Sequence, residues 1–209
     1  MIISRVCQTE RVKYAESTLS SLSEKIVSVD HRPVIVGIVG IDGQGGSGKS
    51  TLAQELARGM SVLVAIVEGD DFYSDMPDDK KALLNPEEGY ENYFDWRRLK
   101  SEVLSSLRDQ DSNLRYQRYD WNVGAMGEWI TIPMPEVVIV EGIYTLRPEL
   151  RDWFDVTGFV RTSEHARLHR QASREENSSL WISRWIAAED FYVSREGPWW
   201  WVDFLLEGE

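Results

Sequence analysis

Val34-Ile35-Val36-Gly37-Ile38-Val39-Gly40-Ile41, followed after Asp42 by Gly43-Gln44-Gly45-Gly46-Ser47-Gly48-Lys49-Ser50, is the stretch that decides the fold. The first run, introduced by Pro33, is almost continuously apolar, as strands are when both faces of a parallel sheet are covered. The second satisfies G-x-x-x-x-G-K-[ST] and opens a helix over Ser50 to Met60 with Leu52, Ala53, Leu56 and Ala57 on one face and Gly59 placed to end it. A glycine-rich turn between a buried strand and a helix lets backbone N–H groups converge on phosphate oxygens, and the helix N-terminus adds partial positive charge. Gly43, Gly45, Gly46, Ser47, Gly48, Lys49, Ser50 and Thr51 are therefore the expected nucleotide-binding set. Lys49 is assigned to the β/γ-phosphates and the Ser50 hydroxyl to Mg²⁺, with ATP as the nucleotide.

Gly43, Gly45 and Gly48 also fit G-x-G-x-x-G, the dinucleotide fingerprint. That fold needs tight helix packing after the third glycine, where this chain has Lys49 and Ser50, and a clean strand-end acid about 20 residues on, a distance near which only Glu68 stands.

Outward from the loop, further core strands are expected at 62–67, 137–140, 156–160 and 202–206, with helices at 164–175 and 179–192. Asp95 is placed to cap a helix reaching Leu107, and 114–119 with 129–132 alternate like a hairpin on the sheet's edge. The polar region after Val67 is too long for a simple connection, which points to a functional or mobile segment. The order is that of a P-loop NTPase-type α/β fold, a doubly wound and mainly parallel sheet with helices on both faces. Residues 8–27 carry Val12, Ala15, Leu19, Leu22 and Ile26 at helical spacing, so 1–32 reads as an amphipathic extension that packs ahead of a domain spanning 33–209.

The chain has 209 residues, 42% hydrophobic and 28% charged, which suits one globular domain. A net charge of −12 argues against nucleic-acid polymers, whose affinity comes from clustered cations. Cys7 is the single cysteine, no apolar run approaches a membrane span, and charges interrupt the first thirty residues. A cytoplasmic protein without a membrane partner is expected. Charge is sorted along the chain, with an acidic segment from Glu68 to Glu91 and a basic one holding Arg161, Arg167, Arg170 and Arg174.

A guanine-nucleotide switch is disfavoured, because no N-K-x-D follows and Asp155-Val156-Thr157-Gly158 precedes a strand instead of following one. The phosphate loop, Asp70-Asp71-Phe72-Tyr73, Asn92-Tyr93-Phe94-Asp95, Tyr119-Asp120, Val138-Ile139-Val140-Glu141-Gly142 and the arginine segment together resemble the uridine kinase family, which includes phosphoribulokinase-like enzymes. The resemblance covers residues 34–206. It implies a small-molecule kinase, with Asp70 as the base near the acceptor hydroxyl, Asp95 on the sugar hydroxyls, Tyr73 and Tyr119 beside the substrate, and Glu141 near Mg²⁺. Asp71 occupies a position where relatives often carry Ser.

Arg167, Arg170 and Arg174 share one helical face, and the resemblance makes them part of a lid near 161–178 that closes over the triphosphate. Arg167 and Arg170 take catalytic roles in this scheme, Arg167 also touching the substrate and Arg174 the nucleotide. His165 and His169 beside them are expected to cap or pack. Among nine tryptophans, Trp181, Trp185 and Trp199 to Trp201 are expected to pack on the core or on another subunit, which leaves room for a homo-oligomer.

One departure bears on the acceptor. Uridine-cytidine kinases follow the Tyr-Asp pair with a His and an Arg that help hold pyrimidine and sugar; here those positions are Gly124 and Met126. Trp121 or Asn122 would have to compensate. A ribonucleoside is the first-choice alcohol, a pantothenate-like or sugar alcohol the second, and an ATPase or regulator with a decayed acceptor site the remaining alternative.

Overall fold

The computed structural model describes residues 14–28, 37–109, 112–172 and 179–208. In chain order the first elements are α1 (Glu16–Ser28), β1 (Gly37–Asp42), α2 (Lys49–Gly59), β2 (Val64–Glu68), a 3₁₀ turn at Gly69–Phe72, α3 (Asp78–Lys81) and α4 (Pro86–Asn92). Next come α5 (Trp96–Arg98) and α6 (Ser105–Asp109), joined by a π-helical segment at Leu99–Leu104, then the strands β3 (Asn113–Asp120), β4 (Ala125–Pro133), β5 (Val137–Glu141) and β6 (Val156–Arg161). Helices α7 (Glu164–Ala172) and α8 (Ser179–Glu196) and strand β7 (Phe204–Glu207) close the chain.

Five strands pair in the order β2-β5-β1-β6-β7, every pair parallel. β1 is buried along its whole length. Ile38 joins one core with Val138, Val140, Leu99, Val103 and Leu104, while Val39 and Ile41 join another with Ile139, Leu52 and Leu56. A strand that feeds two cores needs apolar side chains at successive positions, which is why the run lacks polar interruptions. Residues 34–36 of the expected strand lie outside the described residues. Of the helix expected over 8–27, α1 holds the described part; Leu22 and Ile26 are buried against the α2 face of the second core.

Several expectations need correction. The hairpin of β3 and β4 forms, but as a separate two-stranded antiparallel sheet and not on the edge of the main one. Leu114 and Tyr116 of the hairpin face the first core, and a register shift between Gln117 and Tyr119 turns Tyr119 inward where strict alternation would have placed Arg118. Helix α2 ends at Gly59 as expected, although Met60 is extended and Gly59 takes no left-handed conformation. The long polar region is ordered into α3 and α4, the latter started by a capping box between Asn85 and Glu88.

Packing explains part of the tryptophan set and not the rest. Trp181 and Trp185 pack against Tyr73 and Tyr119, and Trp199 meets the edge of Phe159 at 5.9 Å. Trp200 and Trp201 are 78% and 64% exposed and so do not join the core, the first of the two places expected for them. His165 and His169 are also exposed on α7, where packing was expected. Asp155 has a structural part: its carboxylate accepts the Ile38 N–H at 2.8 Å and pairs with Arg108 at 3.0 Å.

Candidate active site

Because β1, β2 and β5 run parallel, the loop after β1 lies at the same end of the sheet as the C-termini of β2 and β5, the usual location of ligand crevices in open α/β sheets. Gly46 and Gly48 have φ of 77° and 105°, conformations that side chains with a Cβ rarely adopt. A Cβ on Gly46 would also stand 2.7 Å from the Arg167 carbonyl oxygen. Helix α2 starts with no side-chain cap and no acid in its first turn, which leaves its N-terminal N–H groups to an anion, while the Lys49 ammonium donates to the Gln44 carbonyl at 3.2 Å.

The outer side of the loop is held by interactions that single motifs did not reveal. Asp42, fully buried, accepts the N–H groups of Gly43 at 2.5 Å and Leu146 at 2.8 Å and the Tyr192 hydroxyl at 2.6 Å. Burial raises its carboxyl above the ordinary range, and these hydrogen bonds pull the other way. From α8, Asp190 accepts from Gln44 Nε2 at 2.6 Å and Glu189 from the Gly45 N–H at 2.9 Å. Thr162 donates to the Ser47 carbonyl at 3.0 Å, and Tyr14 to that of Gly48 at 3.1 Å. An acid closing an apolar strand directly before the loop was the available signal for Asp42; nothing local marks Glu189.

Glu68 and Glu141 end β2 and β5 as register partners, and Ile41 of β1 pairs with Glu141 on its other side. Glu141 is 5% exposed; burial pushes its carboxyl up to about 7 against the opposing pull of Lys49 and a hydrogen bond with Ser50. Ser50 and Glu141, the two residues expected at a metal, are thus brought together. Gly69 and Gly142 pass so closely that a Cβ on Gly142 would stand 2.8 Å from the Gly69 Cα. This approach sets Asp70 within the electrostatic reach of Glu141. Asp70 is exposed, whereas Asp71 is partly buried, hydrogen-bonded to Tyr116 and 3.7 Å from Arg118, with burial raising its carboxyl to about 6.

On the acceptor side, Tyr73 and Phe94 form a bridge, and the Asp95 N–H donates to the Phe72 carbonyl at 2.7 Å. Asp95 caps α5 as expected, its Oδ1 accepting the Arg98 N–H at 3.1 Å. Around Tyr73 stand Trp121, tilted at 4.5 Å, Tyr119 at 5.2 Å, and Trp185, whose indole N–H donates to the tyrosine hydroxyl at 3.2 Å. Lys81, missed in the sequence, is buried with its ammonium 4.0 Å from the Tyr73 ring centre and 3.5 Å from Asp78; burial lowers its pKa. Gly124 lies in the hairpin turn with φ of 71°, and Met126 accepts from Arg98 through sulfur at 3.3 Å. Asn122 is exposed in that turn, its N–H donating to Asp120 at 2.9 Å.

Helix α7 lies against the phosphate loop. Arg167 is 5% exposed and 3.9 Å from Glu189, and Arg170 donates to the Gly46 carbonyl at 3.1 Å. Arg174 lies outside the described residues. The buried atoms Arg167 Nε and Nη1 and Ser47 Oγ have no hydrogen-bond partner among the described residues. Buried donors of this kind require an acceptor, and triphosphate oxygens at an uncapped helix N-terminus fit them. The Ser50 hydroxyl beside a carboxylate fits a hard cation such as Mg²⁺. No group of three or more His, Cys, Asp or Glu side chains suited to a metal occurs among the described residues, and no helix among them is long and apolar enough to cross a membrane.

Fold and site together define a P-loop phosphotransferase. Residues 38–179 match the phosphoribulokinase / uridine kinase family, and the chain belongs to it. It is 33% identical over 154 residues to the uridine kinase of Clostridium perfringens strain 13, covering 70% of each chain. A possible uridine kinase from Bacillus stearothermophilus has a similar structure, with a TM-score of 0.70 at 21% identity over 91% of this chain and 97% of that one. Phosphoribulokinase from Rhodobacter spheroides superposes with a TM-score of 0.58 at 14% identity, over 82% and 70% of the two chains. The acceptor is a small molecule bearing an alcohol.

Proposed function

We propose that the protein transfers the γ-phosphate of ATP to a primary hydroxyl, with a ribonucleoside as the first-choice acceptor. The observation that carries this reading is the gathering of Lys49, Ser50, Glu141 and Asp70 at one end of the sheet, with Asp70 exposed and outside the ion pair that occupies Asp71. Lys49 and the loop N–H groups bind the phosphates. Ser50 and Glu141 would hold Mg²⁺, which would supply positive charge to the transferring phosphates. Asp70 orients the acceptor hydroxyl and takes its proton. Arg167 and Arg170 stabilise the transferring phosphoryl group, within a lid near 161–178 that Arg174 completes. Thr51, in the first turn of α2, adds an N–H.

Tyr73, Tyr119 and the free face of Trp121 line the acceptor position, with Asp95 reaching the sugar hydroxyls through the oxygen that does not cap α5. Residues 1–32 act as a packing extension of the 33–209 domain, and the exposed Trp200 and Trp201 offer a contact for a second copy. The enzyme works in the cytoplasm.

A second reading, a pantothenate-like or sugar alcohol as acceptor, is favoured by Gly124 and Met126, which supply no side-chain N–H or O–H donor to a pyrimidine. Coupled ADP release over a panel of alcohols tests both. Release with one compound class supports the kinase and names its acceptor; equal slow release in every well supports an ATPase or regulator with a decayed acceptor site.

A further inference from the structure

Glu189 is used by none of the steps above, yet its carboxylate is 6% exposed and sits at the phosphate loop. Its Oε2 accepts the Gly45 N–H at 2.9 Å and lies 3.9 Å from Arg167 Nη1. A buried carboxylate is costly unless it is paired, and this one is paired with both walls of the nucleotide site at once, the loop after β1 and the arginine face of α7. The pairing leaves the arginine oriented and still able to donate, since Arg167 Nε and Nη1 have no hydrogen-bond partner among the described residues.

The support behind Glu189 is stiff. Helix α8 also holds Gln44 through Asp190 and reaches Asp42 through Tyr192, so neighbouring positions of the loop are tied to one helix. From the other side, the backbone of α7 packs on Gly46 with no room for a Cβ.

We propose that Glu189 is a positioning residue for phosphoryl transfer, tying the Gly45 N–H to the Arg167 guanidinium so that loop and arginine meet the nucleotide's terminal phosphate as one unit. The inference rests on the nucleotide reading given above. Asp190 and Tyr192 shape the loop alone; Glu189 couples it to α7.

Calorimetric titration of the full chain with ADP and with a non-hydrolysable ATP analogue, in Mg²⁺, tests this. Glu189→Ala is expected to weaken the analogue by about tenfold or more, the scale of one charge-assisted hydrogen bond, with little change for ADP. Glu189→Gln keeps an acceptor for the Gly45 N–H and is expected to recover part of the loss; should the alanine variant fail to fold, the glutamine variant carries the comparison with thermal melting as control. The double variant with Arg167→Ala is expected to bind no worse than Arg167→Ala alone. Equal losses for ADP and analogue, additive losses in the double variant, or tighter analogue binding by Glu189→Gln would each overturn the proposal, the last by showing that the carboxylate competes with phosphate. A wild-type chain that binds neither nucleotide overturns the nucleotide reading with it, whereas wild-type binding that the Glu189 variants leave unchanged overturns this proposal alone.

Discussion

Glu68 and Glu141 stand side by side as register partners at the ends of β2 and β5, two carboxylates one strand spacing apart, with Lys49 acting on Glu141 and Arg118 on Glu68. Burial raises both, Glu141 to about 7, and it likewise raises Glu189 to about 7 and Asp71 to about 6. The ligand-free native state therefore binds more protons than the unfolded chain between the ordinary carboxylate range and about pH 7. Stability is expected to fall as pH rises through that window and to level off above it. Thermal melts in Mg²⁺-free buffer from pH 5 to 8.5 check the sign, at about 2–4 °C in Tm for each kcal/mol of stability. A Tm that climbs steadily over the same range would contradict it.

Lys49→Ala should leave a folded protein with nearly all phosphoryl transfer gone, a loss of roughly 10³-fold or more, because a buried charge beside the phosphates is removed while α2 keeps its helix formers. Circular dichroism and coupled ADP release measure the two halves. Unchanged turnover would mean that the glycine loop is not the catalytic one.

Asp70→Asn keeps the shape of the side chain and removes its proton acceptor, so turnover should drop by roughly 10²–10⁴-fold while ATP still binds. Asp71→Asn should cost far less in rate, since Asp71 is engaged with Arg118 and Tyr116. Steady-state kinetics on the pair of variants decides the order, and the reverse order would reassign the base.

Uridine and cytidine, where used, should show lower kcat/KM than in an enzyme that retains the His and Arg at the positions of Gly124 and Met126. Replacing Gly124 by His should not restore selectivity, because φ of 71° strains any residue with a Cβ by about 1–2 kcal/mol. Trp121→Ala should raise the acceptor KM by about 5–10-fold with kcat nearly kept, as expected when an aromatic surface that serves ground and transition states equally is removed. Fast, saturable uridine phosphorylation that rejects other nucleosides would sink the expectation of relaxed recognition.

Local order in the chain was sufficient for β1, the phosphate loop, α2, the Asp95 cap and the parallel β5 and β6, because each follows from side-chain periodicity or backbone freedom within a few residues. Periodicity carries no information about which sheet a strand joins, so the hairpin's separation from the main sheet and the bulge that turns Tyr119 inward were not legible. Nor does periodicity separate a tryptophan set against the core, such as Trp199, from two beside it that stay largely exposed.

The sequence by itself determined the phosphate loop and its setting, the α/β class, and the acids and arginines available for phosphoryl chemistry, since those depend on residue type and near spacing. Only the tertiary structure decided that Glu141 meets Ser50, that Asp71 is engaged by Arg118 while Asp70 stays exposed, that Lys81 lies buried over Tyr73, and that Glu189 joins Gly45 to Arg167. Each of those pairings joins residues from different elements. Their distances are set by how the sheet and helices pack, and packing is a property of the whole chain that no short window of sequence contains.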